Sequence, residues 1–576
     1  MENQRLLLFI ALSFVVLLMY QAWQAQFNPP PAVQSQAGTP ASSPSQSPGN
    51  EVPGQASNAI PSATTAETPR DVPNLPAGAA QPTGDVAQPN LDGGKTAVID
   101  SEKRITVTTD LLQVELDSLG GDIRKVSLLK YPEKLDHPEN PVVLFNDKLP
   151  RIQFSQSGLV ATQGQSVDHY AVYQSDSDNY QLKDGSNKVE VKLTWKNAEG
   201  LTVNKIYTFN RDSYAIDVKL EIINNTAKDW SGIFYRQLQR NDVNPADQSR
   251  FVVTFTGGVV SNESNKYEKI KFTQMAEWKP EQKYIKGGWV AMIQHYFVGA
   301  WIPDQNDFNN FYTRALDNGR YVVGVSSAER KIDAGKSDAF TSKIYIGPKI
   351  QDRMAHVAPN LQLTVDFGVL TIIADPLYWL LDNIHDFIGN WGWSIILVTL
   401  IVKLLFFKLS QSAYRSMANM RKFQPKIMQI RERYGNDKQR MSQAMMDLYK
   451  KEKINPLGGC LPMLVQIPVF ISLYWVLLES VELRQAPFIL WIHDLSVRDP
   501  YYVLPLIMGA SMFIQQKLNP APMDPMQQKI MSFLPIIFTA FFMVFPAGLV
   551  LYWVANNILS IAQQWYITRS IERSSS

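Results

Sequence analysis

Residues 394–407 read Ser-Ile-Ile-Leu-Val-Thr-Leu-Ile-Val-Lys-Leu-Leu-Phe-Phe, an apolar run that contains one lysine. Similar runs recur towards the C-terminus, and each approaches the ~20 residues that a helix needs to cross the ~30 Å hydrocarbon layer of a membrane. The runs lie at about residues 391–407, 460–478, 501–516, 530–545 and 548–567. The last third of the chain is therefore predicted to be a core of five transmembrane helices.

The N-terminal part of the 576-residue chain holds a further apolar segment over residues 6–19, followed by Tyr20, Trp23 and Phe27. A secretory signal peptide looks similar, but no small-x-small cleavage site follows, and the aromatic residues are typical of a membrane interface. We therefore favour an uncleaved transmembrane anchor over residues 1–27, with its N-terminus in the cytoplasm.

Residues 28–95 form a low-complexity stretch that contains 13 of the 35 prolines and no aromatic residue. Such a composition buries too little apolar surface to offset the entropy lost on ordering. The stretch is therefore predicted to be a disordered linker, which lies in the periplasm if the anchor is placed as above.

From about residue 98 to residue 350 the pattern changes to an alternation of apolar and polar side chains. Residues 189–195 and 201–209 alternate on either side of the turn at 197–200, which predicts a β-hairpin. Further strands are expected within residues 216–222, 251–255, 289–302, 321–325 and 340–346. Many strands with turns between them are typical of an antiparallel β-sandwich, predicted here over residues 96–355.

Residues 375–389 are predicted to form an amphipathic helix. Asp375 is a candidate N-cap, with Pro376 at the first helical position. The apolar residues that follow recur at helical spacing, and the polar residues occupy the other side. Because the segment is too polar to span a bilayer, we expect it to lie at the membrane interface. The five-helix core is then predicted over residues 390–570.

Lysine and arginine residues set the predicted orientation. Between Lys408 and Lys453, 12 basic residues oppose only four acidic ones, whereas residues 481–500 carry two basic and three acidic residues. The first loop is therefore expected in the cytoplasm and the second outside. This places both termini in the cytoplasm and the β-sandwich on the periplasmic side of a multi-pass protein.

The basic cytoplasmic loop is predicted to form a helical hairpin over residues 409–455, because its apolar residues recur at spacings of three and four. Pro425 should bend the first helix, since it removes a backbone donor. The hairpin is either an arm that meets a ribosome or a targeting factor, or a set of charges that only enforces topology. Its candidate contact residues are Arg421, Lys422, Lys426, Arg431, Arg433, Lys438 and Arg440.

Lys403 lies inside the first predicted span of the core, where a lysine costs ~2.5–3.5 kcal/mol. It either faces a wet cavity, together with Thr399 one turn earlier and Gln466 on the next span, or extends to the cytoplasmic headgroups. The second alternative is open because Lys408 is only ~7.5 Å further along the helix axis.

The composition excludes several classes of function. The net charge of +2 gives no field for holding nucleic acid, and the single Cys460 excludes an intramolecular disulfide and any Cys-based zinc site. No P-loop is present, and no histidine pair has the spacing of metal ligands. Lone His295 is taken as structural. We therefore expect no enzyme, no metal, no cofactor and no specific nucleic-acid sequence as partner.

Two other functions remain as alternatives. A solute transporter or channel with a periplasmic accessory domain usually shows internal repeats, and none is found across the five C-terminal spans. A membrane-tethered carbohydrate-active enzyme would need paired acidic residues or a histidine in a cleft of the β-sandwich. Solute flux and sugar turnover are the respective tests.

Five motifs carry a resemblance to a known family. They are residues 455–460 (Asn-Pro-Leu-Gly-Gly-Cys), 481–488 (Val-Glu-Leu-Arg-Gln-Ala-Pro-Phe), 491–495 (Trp-Ile-His-Asp-Leu), 524–530 (Asp-Pro-Met-Gln-Gln-Lys-Ile) and 545–552 (Phe-Pro-Ala-Gly-Leu-Val-Leu-Tyr). In these motifs and over its whole length the chain resembles the YidC family of Gram-negative inner-membrane insertases. The resemblance implies insertion of nascent membrane proteins, alone or with the Sec translocon. It also implies contact with the ribosome, the signal-recognition targeting machinery and membrane lipid.

The resemblance further implies a hydrophilic groove that is open to the cytoplasm and the lipid and closed to the periplasm. The charged residue of this groove matches Lys403, where arginine is usual in the family. Substrate contacts are implied at Gln466, Ile467 and Phe470. An aromatic pair is implied at Tyr552 and Trp553. The periplasmic domain resembles sugar-binding β-supersandwich folds, although nothing in the sequence shows that it binds a sugar.

Overall fold

The computed structural model describes residues 71–73, 99, 101–243, 254–434, 437–452, 461–518 and 525–575. The predicted anchor over 1–27 and most of the predicted linker over 28–95 lie outside these residues. Within the linker, Asp71–Pro73 are described, and Val72 is only 2% exposed against the β-sandwich. At this point the chain is therefore docked and is not a free tether.

The strands of the described chain all lie between Arg104 and Pro348. They are β1 (Arg104–Thr108), β2 (Leu112–Asp117), β3 (Ile123–Lys134), β4 (His137–Phe145), β5 (Gln153–Gln163), β6 (Gln174–Ser175), β7 (Asn179–Gln181), β8 (Lys188–Lys196), β9 (Leu201–Asn210), β10 (Ala215–Asn224), β11 (Trp230–Asn241), β12 (Gly257–Ser261), β13 (Glu268–Ile270), β14 (Ile285–Lys286), β15 (Trp289–Ile293), β16 (Phe297–Pro303), β17 (Phe308–Ala315), β18 (Arg320–Ser327), β19 (Arg330–Ile332) and β20 (Lys336–Pro348).

These strands form two sheets that share one apolar core. The 11-stranded sheet has the order β14-β17-β18-β11-β5-β3-β2-β1-β7, with β19 paired to β11 and β4 paired to β3. The 9-stranded sheet has the order β13-β12-β15-β16-β20-β10-β9-β8-β6. The neighbours run antiparallel, except that β1 and β7 are parallel. The predicted antiparallel β-sandwich is confirmed.

Alternation in the sequence explains the sheets locally. The predicted hairpin is found as β8 and β9, which pair in an unbroken antiparallel register. In β10, Ile216, Val218, Leu220 and Ile222 are buried, while the polar residues between them are not. Each fully buried aliphatic side chain of this kind contributes ~1.5–3 kcal/mol, which fixes which face of the strand turns inward.

Two strand predictions are wrong in detail. Residues 289–302 form the two strands β15 and β16, because a turn at residues 294–296 reverses the chain and Gln294 N–H donates to the Phe297 carbonyl at 3.0 Å. The strand predicted over 251–255 is not found at Thr254 and Phe255, and β12 begins only at Gly257. Residues 251–253 lie outside the described chain.

Helices occupy the described chain after Pro348. They are α1 (Gln351–Val357), α2 (Thr371–Ile388), α3 (Trp391–Leu405), α4 (Phe407–Lys422), α5 (Gln424–Tyr434), α6 (Lys438–Lys451), α7 (Leu461–Glu479), α8 (Val503–Leu518), α9 (Pro525–Phe542) and α10 (Ala547–Ser575). Short 3-10 helices are found at Phe272–Gln274, Leu361–Thr364, Gly368–Leu370 and Val481–Leu483.

The predicted start of the amphipathic helix at Asp375 is wrong. Helix α2 begins at Thr371, directly after the 3-10 turn Gly368–Leu370, so Pro376 lies inside the helix and Asp375 is not its cap. The preceding turn starts the helix, and a proline this close to the N-terminus removes one intrahelical hydrogen bond without ending it. The helix ends at Gly389, whose φ of 72° is the left-handed conformation that favours glycine at this position.

The helices α3, α7, α8, α9 and α10 coincide with the five apolar runs of the sequence. Among the described helices, none taken singly has both the length and the apolar composition of a membrane span. Two consecutive segments, Trp391–Leu405 and Phe407–Arg415, meet these criteria together and are bent by 63°. The number of spans therefore stays a prediction.

The described chain forms two compact units. One contains the β-sandwich, α1–α3 and α7–α10, within Thr68–Gln411 and Leu461–Ser576. The other contains the described part of Ser412–Cys460, in which α5 and α6 pack as a pair around the buried Ile427 and Tyr449. The helix is interrupted at Phe423, two residues before Pro425, as expected where a proline ring obstructs the preceding turn.

Candidate functional site

Lys403 lies between three helices of the larger unit. Helix α3 starts at the N-cap Asn390, whose side chain accepts a hydrogen bond from Trp393 N at 3.1 Å, and it carries Lys403 near its other end. The side chain is 8% exposed. Its Nζ donates to Ser560 Oγ on α10 at 2.8 Å and to Gln466 Oε1 on α7 at 3.4 Å. The Lys403 side chain therefore points between the helices in the structure and does not extend toward the headgroups.

The partners of Lys403 are themselves connected. Gln466 Nε2 donates to Asn556 Oδ1 at 3.2 Å, and Ser560 Oγ donates to the Asn556 carbonyl at 2.6 Å. Lys403, Gln466, Asn556 and Ser560 thus form one polar cluster, which we call the lysine cluster. All hydrogen-bond partners of the ammonium in the described chain are neutral. No carboxylate of the described residues therefore compensates the positive charge at this place.

An uncompensated ammonium between helices has a definite electrostatic consequence. Removing an ion from water costs several kcal/mol even after relaxation of the protein. Neutral hydrogen-bond acceptors recover part of that cost, and a negative charge brought to ~4 Å would gain about 4 kcal/mol at an effective dielectric constant of 20. The lysine cluster is therefore suited to attract an acidic group or to keep water nearby.

Thr399 lies one turn before Lys403 on α3 but takes no part in the lysine cluster. The side chain is 2% exposed, and its Oγ1 donates to the Ile395 carbonyl of its own helix at 2.7 Å. This internal bond satisfies the hydroxyl within the helix. The predicted pairing of Thr399 with Lys403 in a shared polar surface is therefore not found.

An aromatic cluster adjoins the lysine cluster along the same two helices. The Phe470 ring stacks on Tyr552 with centroids 5.4 Å apart, and it meets Trp553 edge-on at 4.5 Å. Trp553 also contacts Phe542 of α9 at 5.1 Å. Because residues four apart lie on the same helix face, Phe470 follows Gln466 directly on α7. The structure thus brings Phe470, Tyr552 and Trp553 together, as one apolar surface.

Ile467 is half-buried on α7, next to Gln466 in sequence. Consecutive helical residues point about 100° apart, so Ile467 borders the lysine cluster without being part of it. Six of the seven predicted groove residues therefore lie in the lysine cluster, in the aromatic cluster or at the border of the lysine cluster. Thr399 remains apart from them.

Sequence reasoning missed two members of the lysine cluster, Asn556 and Ser560. The signal was present as polar residues repeated at helical spacing inside the apolar run of α10, namely Asn556, Asn557, Ser560, Gln563 and Gln564. Asn557 Nδ2 donates to Ser511 Oγ at 3.1 Å, and Gln564 Nε2 donates to the Leu518 carbonyl at 3.1 Å, so part of this stripe joins α10 to α8.

The basic residues predicted on the hairpin are found in the smaller unit. Arg431 and Arg433 are exposed, Lys426 Nζ pairs with Glu452 Oε1 at 3.1 Å, and Arg440 pairs with Asp437 at 3.3 Å. The side chains of Arg421, Lys422 and Lys438 lie outside the described part of the structure. The described side chains leave a basic surface open to solvent.

The β-sandwich holds the end of the helix that carries Gln466. Lys349 Nζ contacts Glu479 Oε2 at 3.2 Å and donates to the Thr364 carbonyl at 3.1 Å, and both charged side chains are almost fully buried. The ring of His295, which the sequence marked as structural, contacts the Leu478 carbonyl through Nε2 at 2.9 Å. Helix α7 is therefore anchored in the sandwich at its C-terminus.

A second contact joins α2 to the loop after α7. Tyr378 Oη donates to Glu482 Oε1 at 3.0 Å. Burial raises the pKa of Glu482 to about 7, although the hydrogen bond from Tyr378 acts in the opposite direction. The neutral form of this carboxyl is therefore favoured near the lower end of the physiological range.

Among the residues that the structure describes, no group of three or more histidine, cysteine or acidic side chains is arranged to hold a metal ion. The chemistry available at the site is therefore that of a buried cation, neutral hydrogen-bonding groups and an adjacent aromatic surface.

Two family models match the chain. Residues 104–380 match the model described as the YidC periplasmic domain, and residues 383–574 match the model described as the 60Kd inner membrane protein. The boundary between the matches falls within α2. The β-sandwich thus coincides with the first model, and the lysine cluster lies within the second.

Curated relatives extend the likeness to the whole chain. A membrane protein insertase YidC from Methylococcus capsulatus is 52% identical over 504 residues, which are 86% of this chain and 92% of the relative. A membrane protein insertase YidC from Nitrosococcus oceani is 48% identical over 575 residues, which are 100% of both chains.

Solved structures give weaker likenesses. One is the crystal structure of an active YidC insertase with the first transmembrane domain resolved, at 19% identity and a TM-score of 0.37, covering 81% of this chain and 94% of that one. A galactose mutarotase-like protein from Lactobacillus casei covers 42% of this chain and 99% of its own, at 11% identity and a TM-score of 0.27.

Proposed function

The chain belongs to the YidC family of membrane protein insertases, and on that premise we propose that it moves nascent inner-membrane proteins into the bilayer through a groove lined by Lys403. The observation that supports this proposal is the buried ammonium of Lys403, whose partners among the described residues are neutral side chains of α7 and α10. A charge of this kind weakens the bundle unless something polar comes to meet it.

In the proposed step, a polar flank of the client protein enters beside the lysine cluster instead of entering hydrocarbon. Gln466 and Ser560 offer hydrogen bonds, and the ammonium offers attraction to acidic side chains. Polar groups carried into an apolar medium cost several kcal/mol when they find no partner. The groove lowers that cost for the part of the client that must reach the periplasm.

The aromatic cluster and Ile467 receive the apolar part of the same client. Phe470 and Trp553 lie one helical turn from Gln466 and Asn556 respectively, so an entering segment meets polar and apolar surface side by side. The apolar segment then leaves sideways into lipid, driven by burial worth ~25 cal/mol per Å². No bond is made or broken, and no catalytic residue is assigned.

The proposed placement in the inner membrane uses the five predicted spans and the N-terminal anchor, with both termini in the cytoplasm. Helix α2 lies along the periplasmic interface. It packs Leu377 and Leu381 inward but leaves Ile372 at 88%, Trp379 at 65% and Phe387 at 92% exposed. Exposed apolar side chains on an amphipathic helix are typical of contact with the headgroup and acyl boundary.

The hairpin of α5 and α6 serves as the cytoplasmic contact for the ribosome and the signal-recognition targeting machinery. Arg431 and Arg433 are exposed there, and basic side chains bind phosphate-rich surfaces in a salt-dependent way. The chain acts on its clients alone or together with the Sec translocon.

A lysine at the centre of the groove bears on the mechanism. Arginine would offer a planar, bidentate fork, whereas lysine offers a compact point charge. The proposed mechanism uses the charge alone, so Lys403→Arg should retain insertion. A mechanism that depends on a fixed guanidinium would fail in this chain as it stands.

Site-specific crosslinking tests the proposed path. A photoreactive residue at Ile467 should crosslink a ribosome-stalled client, whereas one at Ile558, an exposed position on α10, should not. Ile558 is the matched control because it lies two residues from Asn556 and therefore on another side of the helix. Equal crosslinking at both positions would show that the client contacts the lipid-exposed surface in general. That result would contradict a path through the groove.

Insertion without solute flux separates the proposal from a transporter. Purified protein in vesicles should insert a client supplied as nascent chains and should leave the vesicles impermeable to small solutes. Flux that depends on the protein in the absence of client would favour the transporter or channel instead.

A further inference from the structure

Residues Asp71–Pro73 are seated in a cleft on the outer face of the 11-stranded sheet. The Val72 side chain is 2% exposed and packs with Val160, Ile233 and Tyr235 in a small apolar cluster that is separate from the main core. Val160 on β5 and Ile233 on β11 are directly opposite each other in the register. They therefore share one face and form the floor under Val72.

The carboxylate of Asp71 is held by two side chains from the loop after β5. Tyr170 Oη donates to Asp71 Oδ1 at 2.7 Å, and His169 Nε2 lies 3.2 Å from Asp71 Oδ2. Burial alone would raise the pKa of the Asp71 carboxyl, but the hydrogen bonds from His169 and Tyr170 hold it well below its usual range. The cleft therefore holds Asp71 as an anion.

The peptide backbone is recognised independently of these side chains. Gln237 Nε2 donates to the Asp71 carbonyl at 2.9 Å, and Arg314 Nη1 donates to the Val72 carbonyl at 2.7 Å. These donors come from β11 and β17. Two consecutive main-chain carbonyls are thus bound by side chains that two strands of the sheet carry.

The donor amide of Gln237 is fixed in its orientation. Its Oε1 accepts a hydrogen bond from Tyr312 Oη at 3.0 Å, and its Nε2 also donates to Gln156 Oε1 at 2.9 Å. In the register, Gln156, Gln237, Gly324 and Tyr312 form one row across four strands. Gly324 makes the row possible, because a Cβ there would lie 2.3 Å from Tyr312 Cζ.

The loop that carries His169 is positioned by a second glycine. Gly158 stands opposite Tyr235 in the sheet, and a Cβ at Gly158 would lie 2.7 Å from Asp168 Cα. Tyr235 Oη accepts a hydrogen bond from His169 N at 3.0 Å and also contacts the His169 ring. His169 is 1% exposed. The sheet and the two glycines therefore position the side chains that line the cleft.

We propose that this cleft is a binding site for an extended peptide in which an acidic residue precedes a β-branched apolar residue, and that residues 71–73 of the same chain occupy it. The site recognises a carboxylate, an aliphatic side chain and two backbone carbonyls. Occupation in cis ties the linker to the domain at Asp71. The predicted linker over residues 28–95 then has a fixed point at Asp71–Pro73.

Competition by a free peptide tests this assignment in the full-length protein. The probe is a fluorescently labelled peptide with the sequence of residues 68–76, Thr-Pro-Arg-Asp-Val-Pro-Asn-Leu-Pro. A tethered ligand acts at an effective concentration of the order of millimolar, so the wild-type chain should bind the probe weakly. A chain with Asp71→Ser and Val72→Ser should bind it at least tenfold more tightly, as read by fluorescence anisotropy.

Two controls make the result specific. The chain with Asp71→Ser and Val72→Ser is called the emptied chain. A probe with asparagine and serine in place of the aspartate and valine should lose at least tenfold in affinity for the emptied chain. Adding Tyr170→Phe to the emptied chain should weaken binding of the original probe several-fold, because one hydrogen bond to the carboxylate is lost. Equal binding of the probe by the wild-type and emptied chains, or none by either, would overturn the proposal.

A second measurement keeps the proposal testable if the emptied chain folds poorly. In the otherwise wild-type chain, Tyr170→Phe alone should loosen the docked segment. A protease that cuts after arginine should then cleave at Arg70 several-fold faster than in the wild type. An unchanged rate of cleavage at Arg70 would contradict docking through Asp71.

Discussion

Replacing Lys403 by methionine should have opposite effects on stability and on insertion. The ammonium is buried with neutral partners, so its removal relieves part of a desolvation cost. Ser560 keeps its hydrogen bond to Asn556, and so does Gln466, which leaves no donor without a partner. We expect the free energy of unfolding to rise by about 1 kcal/mol. This is the part of the desolvation cost of the ammonium that its two hydrogen bonds do not recover.

The loss in insertion follows from the charge. An acidic side chain of a client that reaches about 5 Å from the ammonium gains about 3 kcal/mol at an effective dielectric constant of 20. Each 1.4 kcal/mol is about a factor of ten. Insertion of a client with an acidic translocated tail should therefore fall by about a hundredfold in Lys403→Met, while a client with a neutral tail should change much less.

The assay compares insertion of both clients into vesicles that hold equal amounts of wild-type or variant protein, scored by protease protection of the tail. Lys408→Met is the matched control, because Lys408 is exposed and five residues away. Lys403→Arg should behave as the wild type. Equal insertion of the acidic client by the wild type and by Lys403→Met would refute the electrostatic role of this residue.

The remaining predictions concern the contacts around α7. Lys349→Met should destabilise the chain by about 3–5 kcal/mol, because it removes the cation that contacts the buried Glu479 carboxylate, and adding Glu479→Gln should recover most of this loss in thermal unfolding. Because burial raises the pKa of Glu482 from 4.5 to about 7, the folded state binds more protons than the unfolded state between these values. Stability should therefore fall as pH rises from 4.5 to 7, and Glu482→Gln should abolish that slope; a wild-type stability that rises over this range would contradict the assignment. Phe470→Ala should reduce insertion of clients with long apolar segments several-fold in the vesicle assay, whereas Trp565→Ala, at a position 54% exposed, should leave it unchanged.

The order of apolar and polar residues along the sequence predicted those features that depend on residues close together in the chain. Alternation predicted the β8–β9 hairpin, and helical spacing predicted the amphipathic helix that is found as α2. The start of α2 was missed because Asp375 and Pro376 form a typical N-terminal signal, while the turn that starts the helix lies upstream. The break within residues 289–302 was missed because the turn residues Gln294, His295 and Tyr296 include neither glycine nor proline, the usual signals of a turn.

The candidate site was only partly predictable. Lys403 is conspicuous in the sequence because a charge in an apolar run is rare. Asn556 and Ser560 are not, because small polar residues are common in such helices and their partners come from helices distant in sequence. The docking of Val72 was also beyond local rules, since its neighbours Val160 and Ile233 lie far along the chain and the surrounding composition indicates disorder.

Reversing the charges on both sides tests the central claim most directly. In Lys403→Glu, a client whose tail carries lysine in place of aspartate should insert better than the aspartate client, whereas the wild-type protein should show the opposite preference. A loss of insertion for both clients alike, or no change of preference, would show that the charge of residue 403 does not act on the passing chain.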